Sequence, residues 1–384
     1  MPGSGLVRVR PVLSAVKFQV MELRRLARTA MRARTRTLVG YTKAHPIYTD
    51  VLEENPPRGF AGYRSSTVPW LRPLDRWLQS RVRLLHVDAA IPAGPLSARL
   101  PQVIECEGRP RAEFFETPGV RAVFVESRWA GGDFLANGDA TLLRPAPVLP
   151  PRLHRTRRAD STLVLLAVGY GALVKGFDVV ADVFEELRAE FPLRLVIAGT
   201  FPHNSEHYPE ITPATVERAD VASLERRLRQ NSRVDVGPRR RTQLRKLYES
   251  ADVYLHLSRM ETFGYSVLEA MSFALPVVAT RVNAIPEMVK HECTGLLCDP
   301  GDADINSQEW TRVVFQQAVG ATRALLADSE YRRTLGDAGR ARVARAFDIE
   351  TKRSMLAHAY SAALTNRPFP GSRSGTTPRA EAAR

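Results

Sequence analysis

Apolar residues fall into two series of short runs, separated by stretches of helical or turn-forming composition. In the first half, Thr37–Tyr41, Leu84–Val87, Gln102–Cys106, Ala122–Glu126 and Ala140–Leu143 have the length and continuity of buried strands. In the second half, Thr162–Val168, Leu193–Ala198, Val234–Val236, Val253–Leu257, Val277–Thr280 and Gly295–Leu297 do the same. Helical patterns fit between these, over Asp178–Glu190, Arg241–Glu249, Ser266–Phe273 and Ile285–Val289, and the chain turns helical from Gln308 to about Leu364. Strand–helix alternation of this kind predicts parallel sheets with helices on both faces. Two such series predict an α/β architecture of two Rossmann-like, doubly wound domains facing across a cleft.

The segment before the first strand reads as one helix over residues 15–36. Val16, Val20, Leu23, Ala27, Ala30 and Met31 recur at three- and four-residue steps and form an apolar stripe, with Arg24, Arg25, Arg28, Arg32 and Arg34 around it. Such a helix either lies on an anionic membrane or packs on a domain with a solvated basic face. The expected organisation is a basic helix (1–36), an N-terminal Rossmann-like domain (37–150), a linker (151–160) and a C-terminal Rossmann-like domain (161–345). A final helix (346–365) and a disordered tail (366–384) follow. The linker is marked by a Pro-rich stretch and by Arg152, Arg155, Arg157 and Arg158. No repeat of solenoid period is present.

Charge narrows the partners. The 384 residues carry +14, and residues 1–160 hold 26 basic and 14 acidic side chains, a net +12. Residues 161–384 hold 29 and 27, a net +2, whereas residues 1–36 alone hold nine and one, a net +8. An anionic partner is implied for the first half: nucleic acid, a membrane surface or a phosphorylated substrate. Cys106, Cys293 and Cys298 are too few for a disulfide framework and match no common zinc spacing, so they read as free core thiols. Ser161–Val174, the longest run without charge, is too short to span a bilayer. Arg8, Arg10 and Lys17 interrupt any apolar signal core. These features predict a cytoplasmic protein.

Two strand ends carry candidate chemistry, since open parallel sheets bind ligands at the carboxyl ends of their strands. The first is Val168-Gly-Tyr-Gly-Ala-Leu-Val-Lys175-Gly176-Phe177. Gly169 and Gly171 permit close approach of a ligand, and Lys175 at a helix start suits a phosphate. The spacing of Gly169, Gly171 and Gly176 departs from G-x-G-x-x-G, and no acidic residue follows Ala198-Gly199-Thr200, which argues against a nicotinamide oxidoreductase. The second is Ser258-Arg-Met-Glu261-Thr-Phe-Gly264-Tyr-Ser266-Val-Leu-Glu269-Ala-Met. A helix starting near Gly264 to Ser266 favours an anion at its N-terminus. Carboxylates at Glu261 and Glu269 suit sugar hydroxyls, because a diol can donate two hydrogen bonds to one carboxylate.

Together these segments resemble the donor-binding half of family-4 glycosyltransferases with the GT-B fold. Glu261 and Glu269 match the family's Glu, seven residues, Glu signature, and Lys175-Gly176 match its Lys-Gly after the first strand of the C-terminal domain. Ala251-Asp252-Val253, Leu275-Pro276-Val277-Val278-Ala279-Thr280 and Thr294-Gly295-Leu296-Leu297 add to the likeness, which covers roughly residues 160–360. It implies a hexosyltransferase that retains anomeric configuration and needs no cofactor and no metal. It further implies that Lys175 holds the donor diphosphate with Gly169, Tyr170 and Gly171. Glu269 would hold the ribose, and Glu261 the transferred sugar. Backbone amides around Phe263, Gly264, Tyr265 and Ser266 would hold phosphate. The partner is then a nucleotide sugar.

Departures from the family pattern bear on the remainder. Tyr170 stands where the family often has an Arg, so the phosphate site has one cation fewer. The usual N-terminal Gly-rich loop is not recognisable in Tyr41-Thr-Lys-Ala-His45-Pro. Where many members carry a catalytic His, this chain has Glu107, either an active-site group or a solvated loop carboxylate; Asp88 is a second candidate. A nucleotide-sugar binder that has lost catalysis is the alternative reading. Nucleic acid is disfavoured, since the basic excess lacks interleaved aromatics or a known module. With the near-neutral half assigned to the donor, the +12 half implies an anionic acceptor, or one held at an anionic membrane surface reached through residues 1–36.

Overall fold

The computed structural model describes residues 6–41, 50–88, 100–150, 161–201, 218–367 and Phe369. Arg152, Arg155, Arg157, Arg158, Thr42–His45 and most of the expected tail lie outside these, and of Asp88 only the backbone is described. The chain divides into two compact units, Met1–Ala146 with Ile349–Arg384, and Pro147–Asp348.

The first unit begins with helix α1 (Leu6–Arg32) and strands β1 (Thr37–Tyr41) and β2 (Phe60–Tyr63). Helix α2 (Arg72–Gln79), β3 (Val82–Asp88), β4 (Gln102–Cys106), the short α3 (Glu113–Glu116), β5 (Val120–Val125), α4 (Arg128–Ala136) and β6 (Thr141–Leu142) follow. The six strands form one parallel sheet in the order β2-β1-β3-β4-β5-β6. β2, with its central Gly62, was not expected from the pattern. Its four residues are too few to show a period, and Gly62 packs its bare backbone on the Leu52 carbonyl.

The second unit alternates more regularly. β7 (Leu163–Tyr170), α5 (Phe177–Leu187), β8 (Leu193–Thr200), α6 (Arg218–Gln230), β9 (Val234–Gly237), α7 (Arg241–Ser250) and β10 (Val253–His256) form its first part. α8 (Tyr265–Ser272), β11 (Val277–Thr280), α9 (Ile285–Met288), β12 (Leu296–Cys298), α10 (Gln308–Ala327) and α11 (Ser329–Ala346) complete it. Its strands pair in parallel in the order β12-β11-β10-β7-β8-β9. β10 and β11 are buried throughout, as expected for strands covered by helices on both faces. The main core joins Leu165, Phe177, Phe184, Leu195, Val253, Trp310 and Leu325. Ser307 and Asp328 cap α10 and α11 by accepting backbone N–H bonds, which fixes where each helix starts.

The last helix, α12 (Ile349–Leu364), returns to the first unit. Its Leu356, Ala359, Tyr360 and Ala363 pack with Val39, Leu84, Val103 and Phe124 from that sheet. Phe369, inside the segment expected to be disordered, stacks edge-on against Phe124 with ring centroids 5.4 Å apart. Cys106 and Cys298 are buried thiols, but Cys293 is exposed, so the expectation of a core thiol fails there. It sits in the turn before β12, where the chain returns to the surface.

Helix α1 corrects the expectation in two ways. It starts at Leu6, nine residues early, and of the described stripe residues only Ala30 packs on the core. Leu26, Glu22, Arg25 and Thr29 turn inward, while Val20, Leu23 and Met31 are exposed.

Candidate active site

In the second sheet the strand order reverses between β10 and β7. Ligands of open α/β sheets bind outside the carboxyl ends of the strands at such a switch point. The two glycine-containing segments singled out in the sequence follow these two strands.

After β7 the chain turns through Gly171–Lys175, closed by Lys175 N–H donating to the Gly171 carbonyl at 3.0 Å. Gly176 then takes a left-handed conformation, φ 64°, at the N-cap of α5. A Cβ there would stand 1.9 Å from the Leu257 carbonyl oxygen, so both conformation and space require glycine. Gly169 lies under the Lys175 side chain, where a Cβ would stand 2.7 Å from its Cγ. Tyr170 is exposed at the strand end.

After β10, Arg259 locks one loop to the other. Its N–H donates to the Val174 carbonyl at 2.8 Å. Its guanidinium donates to the Leu173 carbonyl at 2.7 Å and to both Asp178 oxygens at 2.9 and 2.7 Å, and lies over the Trp310 ring. Arg259 is buried and tied to Asp178 in this way, and is therefore committed to holding the loops rather than replacing the cation that Tyr170 lacks. Sequence reasoning passed over it; an Arg directly after an apolar strand, with an acid in the first turn of α5, was the available signal.

Glu261 comes next and reaches back across the switch point. Its Oε2 accepts from Lys175 Nζ at 2.5 Å and lies 3.1 Å from His256 Nε2. Burial would push the Glu261 carboxyl up, but Lys175 and His256 outweigh it and hold it at about 2. Burial, with Lys175 adding to it, lowers His256, so the imidazole is neutral and serves as a hydrogen-bond partner. His256 is a second site member that the sequence reading did not name. A lone His at the end of a buried strand carries no local signal of its partner.

Gly264 caps α8 in a left-handed conformation, φ 102°, and a Cβ there would run into Ile285 and Met288. Tyr265 and Ser266 thus present the N-terminal turn of α8 at the strand end. Phe263 is buried between Tyr265 and Phe347, so its ring anchors the loop and only its backbone can meet a ligand. Glu269, half-buried one turn further along, accepts from the Tyr248 hydroxyl at 3.0 Å. Tyr248 is raised well above its ordinary value by burial and by Glu269, so it stays a donor. The Tyr254 ring neighbours both Tyr248, which holds Glu269, and His256, which meets Glu261, with ring centroids 6.1 and 6.2 Å away, so the two carboxylates share one neighbourhood.

Glu107 lies in the other unit, half-buried in the turn after β4. The carboxylate that the first sheet buries is its neighbour Glu105. Lys352 Nζ donates to Glu105 Oε1 at 2.5 Å, and His86 Nε2 lies 3.1 Å from Oε2. Burial alone would raise the Glu105 carboxyl, but Lys352 and His86 outweigh it and lower it. Tyr360 Oη is 2.5 Å from His86 Nδ1. This network fastens α12 to the first sheet and was not visible in the sequence, because Lys352 and Glu105 are 247 residues apart.

Residues 154–342 match the family model described as Glycosyl transferases group 1. That span contains Lys175, His256, Glu261 and Glu269. The chain is 29% identical over 192 residues to N-acetyl-alpha-D-glucosaminyl L-malate synthase of Bacillus anthracis, covering 50% of this chain and 43% of that protein. It is 32% identical over 206 residues to D-inositol 3-phosphate glycosyltransferase of Segniliparus rotundus, covering 53% of this chain and 41% of that one. The matches thus span less than half the length of these relatives. Among solved structures, Anabaena Alr3699/HepE in complex with UDP and glucose superimposes with a TM-score of 0.59 at 15% identity, over 85% of this chain and 100% of that one. Sucrose-phosphate synthase from Thermosynechococcus elongatus gives 0.57 at 19%, over 91% and 94%. At these identities the likeness establishes the fold, two Rossmann-like units of the GT-B class.

Proposed function

We propose that the protein is a glycosyltransferase that moves a hexosyl group from a nucleoside-diphosphate sugar to an acceptor, with retention of anomeric configuration. The observation that carries this reading is the Lys175–Glu261 contact at the switch point of the second sheet, beside the N-terminus of α8. Breaking the bond between the anomeric carbon and the diphosphate builds negative charge on the leaving oxygen. In this reading Lys175 and the α8 dipole stabilise that charge as it develops. An ammonium has three N–H groups, enough to serve Glu261 and a phosphate oxygen together.

Glu261, kept ionised by Lys175 and His256, accepts hydroxyl hydrogen bonds from the transferred sugar. Glu269, oriented by Tyr248, accepts from the ribose diol. With charge neutralised by Lys175 and a helix N-terminus, the transfer is independent of a divalent cation, and chelators should leave it intact. The retained configuration rests on the resemblance to family-4 enzymes. The basic first unit, with Glu107 beside its sheet end, takes an acceptor that is anionic or held at an anionic membrane.

Uridine is the first base to test, because Anabaena HepE was solved with UDP and with UDP-glucose. The experiment offers UDP-, GDP- and ADP-sugars with a panel of phosphorylated and lipid-linked acceptors. Release of nucleoside diphosphate is followed, and the product's anomeric proton is read by NMR. Release that depends on acceptor, with the donor's configuration kept, is expected. Donor binding without turnover on any acceptor would instead favour a nucleotide-sugar binder that has lost catalysis.

A further inference from the structure

We propose that the outward face of α1 seats the protein on the surface of an anionic phospholipid bilayer. The proposal extends the acceptor-side reading above, but its physical basis is independent of any transfer step.

An amphipathic helix on a globular unit normally buries its apolar arc and leaves its charges in water. Helix α1 departs from this: beside Leu26 and Ala30, which pack on the core, it turns charged side chains inward. Glu22, Arg25 and Thr29 are 6–7% exposed and Leu26 is fully buried. Arg25 donates to both Glu22 oxygens at 3.0 and 2.8 Å and to the Arg64 carbonyl at 2.8 Å, and Arg64 in turn pairs with Glu22 and Glu53. The Glu22–Arg25 pair lies within the helix; contacts of Arg25 and Glu22 with Arg64, and of Leu26, Ala30 and Ala33 with the core around Leu38, Tyr63 and Leu78, fasten the helix to the unit.

The apolar arc is left outside. At about 100° per residue, Val20, Leu23, Ala27 and Met31 fall within roughly 80° of arc, centred some 150° from the buried one. Val20 is 41%, Leu23 38% and Met31 65% exposed, and Ala27 is exposed as well. Arg24 and Arg28, both exposed, border this stripe. Trp70 stands beside the helix, 53% exposed, with its indole N–H donating to Gln19 at 3.2 Å. Indole rings of this kind favour the headgroup level of a bilayer.

Charge selects the occupant. Glu22 is the sole acidic residue among the first 36, and it is turned inward. An apolar stripe bordered by arginines matches a surface that is apolar beneath and anionic above. A second copy of the chain would bring two segments of net +8 face to face, which like charge opposes. Among the described residues no helix is long and apolar enough to cross a membrane, so the helix lies in the plane of the interface.

The test is flotation of the full chain with vesicles of phosphatidylcholine alone or mixed with phosphatidylglycerol, without donor or acceptor. Its outcome is thereby separate from that of the transferase reading. Binding to the mixed vesicles, weakening with added salt, is expected, with little binding to phosphatidylcholine alone. Leu23→Glu with Met31→Glu should weaken binding by at least about tenfold. Arg24→Gln with Arg28→Gln should weaken it roughly thirtyfold. All four side chains are outward, so thermal midpoints should match the parent. Absence of binding to the mixed vesicles, or variants that bind like the parent, would overturn the proposal. So would light scattering that shows a dimer which the Leu23 and Met31 substitutions dissociate, since the stripe would then be covered by a second copy.

Discussion

Lys175 Nζ lies 2.5 Å from Glu261 Oε2, although 86 residues separate them. The contact ties the loop after β7 to the loop after β10 at the one place where the second sheet's strand order reverses. It sets a cation and an ionised carboxylate beside the N-terminus of α8. Both side chains are largely buried, and Lys175 is one of the two neighbours that keep Glu261 ionised.

Removing the cation should affect both stability and chemistry. Lys175→Ala leaves the Glu261 carboxylate with His256 but without its ammonium partner. Breaking a buried pair from one side costs about 3 kcal/mol. Loss of a group that stabilises leaving-group charge should cost about 10²–10³ in kcat. Thermal unfolding and steady-state kinetics on the same preparation check the two effects together.

Acid should expose the Glu261 pair. The carboxyl sits at about 2 in the folded protein against an ordinary 4.5. Folding therefore gains a contribution that is complete above about pH 4.5 and is lost as pH falls toward 2, on the order of 3 kcal/mol in all. Glu261→Gln should lack that component. The difference in unfolding free energy between parent and variant, followed from pH 5 downward, should shrink as the solution is acidified. A constant difference would show that Glu261 is not held ionised by its neighbours.

The glycine at the start of α5 is needed for shape rather than chemistry. Gly176→Ala combines a left-handed φ with a Cβ 1.9 Å from the Leu257 carbonyl oxygen. A loss of about 2–4 kcal/mol by denaturant unfolding is expected. Gly301→Ala is the control: φ is 60° there too, but nothing stands within 4 Å of the added Cβ. Its cost should be limited to the conformational strain of about 1–2 kcal/mol.

Glu269 and Tyr248 should act as a unit in donor binding. Glu269→Ala should weaken nucleoside diphosphate binding about tenfold or more, since a carboxylate accepting from a diol makes charge-assisted bonds. Tyr248→Phe removes the hydroxyl that orients the carboxylate and should lose part of the same energy. In calorimetric titrations of both single variants and the double variant, the two losses should be less than additive.

Much of the second unit was legible because its signals are local. Buried parallel strands read as unbroken apolar runs, and Lys175-Gly176 and Glu261–Gly264 lie in the short loops that follow β7 and β10. That Lys175 and Glu261 touch was not legible, because strand order is a long-range property. The same holds for Glu105, whose partners His86, Lys352 and Tyr360 lie on β3 and α12. In α1 the period of the apolar residues was correct, but periodicity defines an apolar face without saying that this face is buried. Leu26, packed in the core, and the contacts of Arg25 and Glu22 with Arg64 set the docking instead.

The central claim is that the switch point of the second unit binds the diphosphate of a nucleotide sugar through Lys175. Thermal unfolding of the full chain with UDP, GDP and ADP in turn tests it most directly. One of these, at 100 times its dissociation constant, should stabilise the parent by about 2.7 kcal/mol. The same addition should stabilise Lys175→Ala far less. No stabilisation of the parent by any of the three, or an undiminished effect in Lys175→Ala, would contradict the assignment.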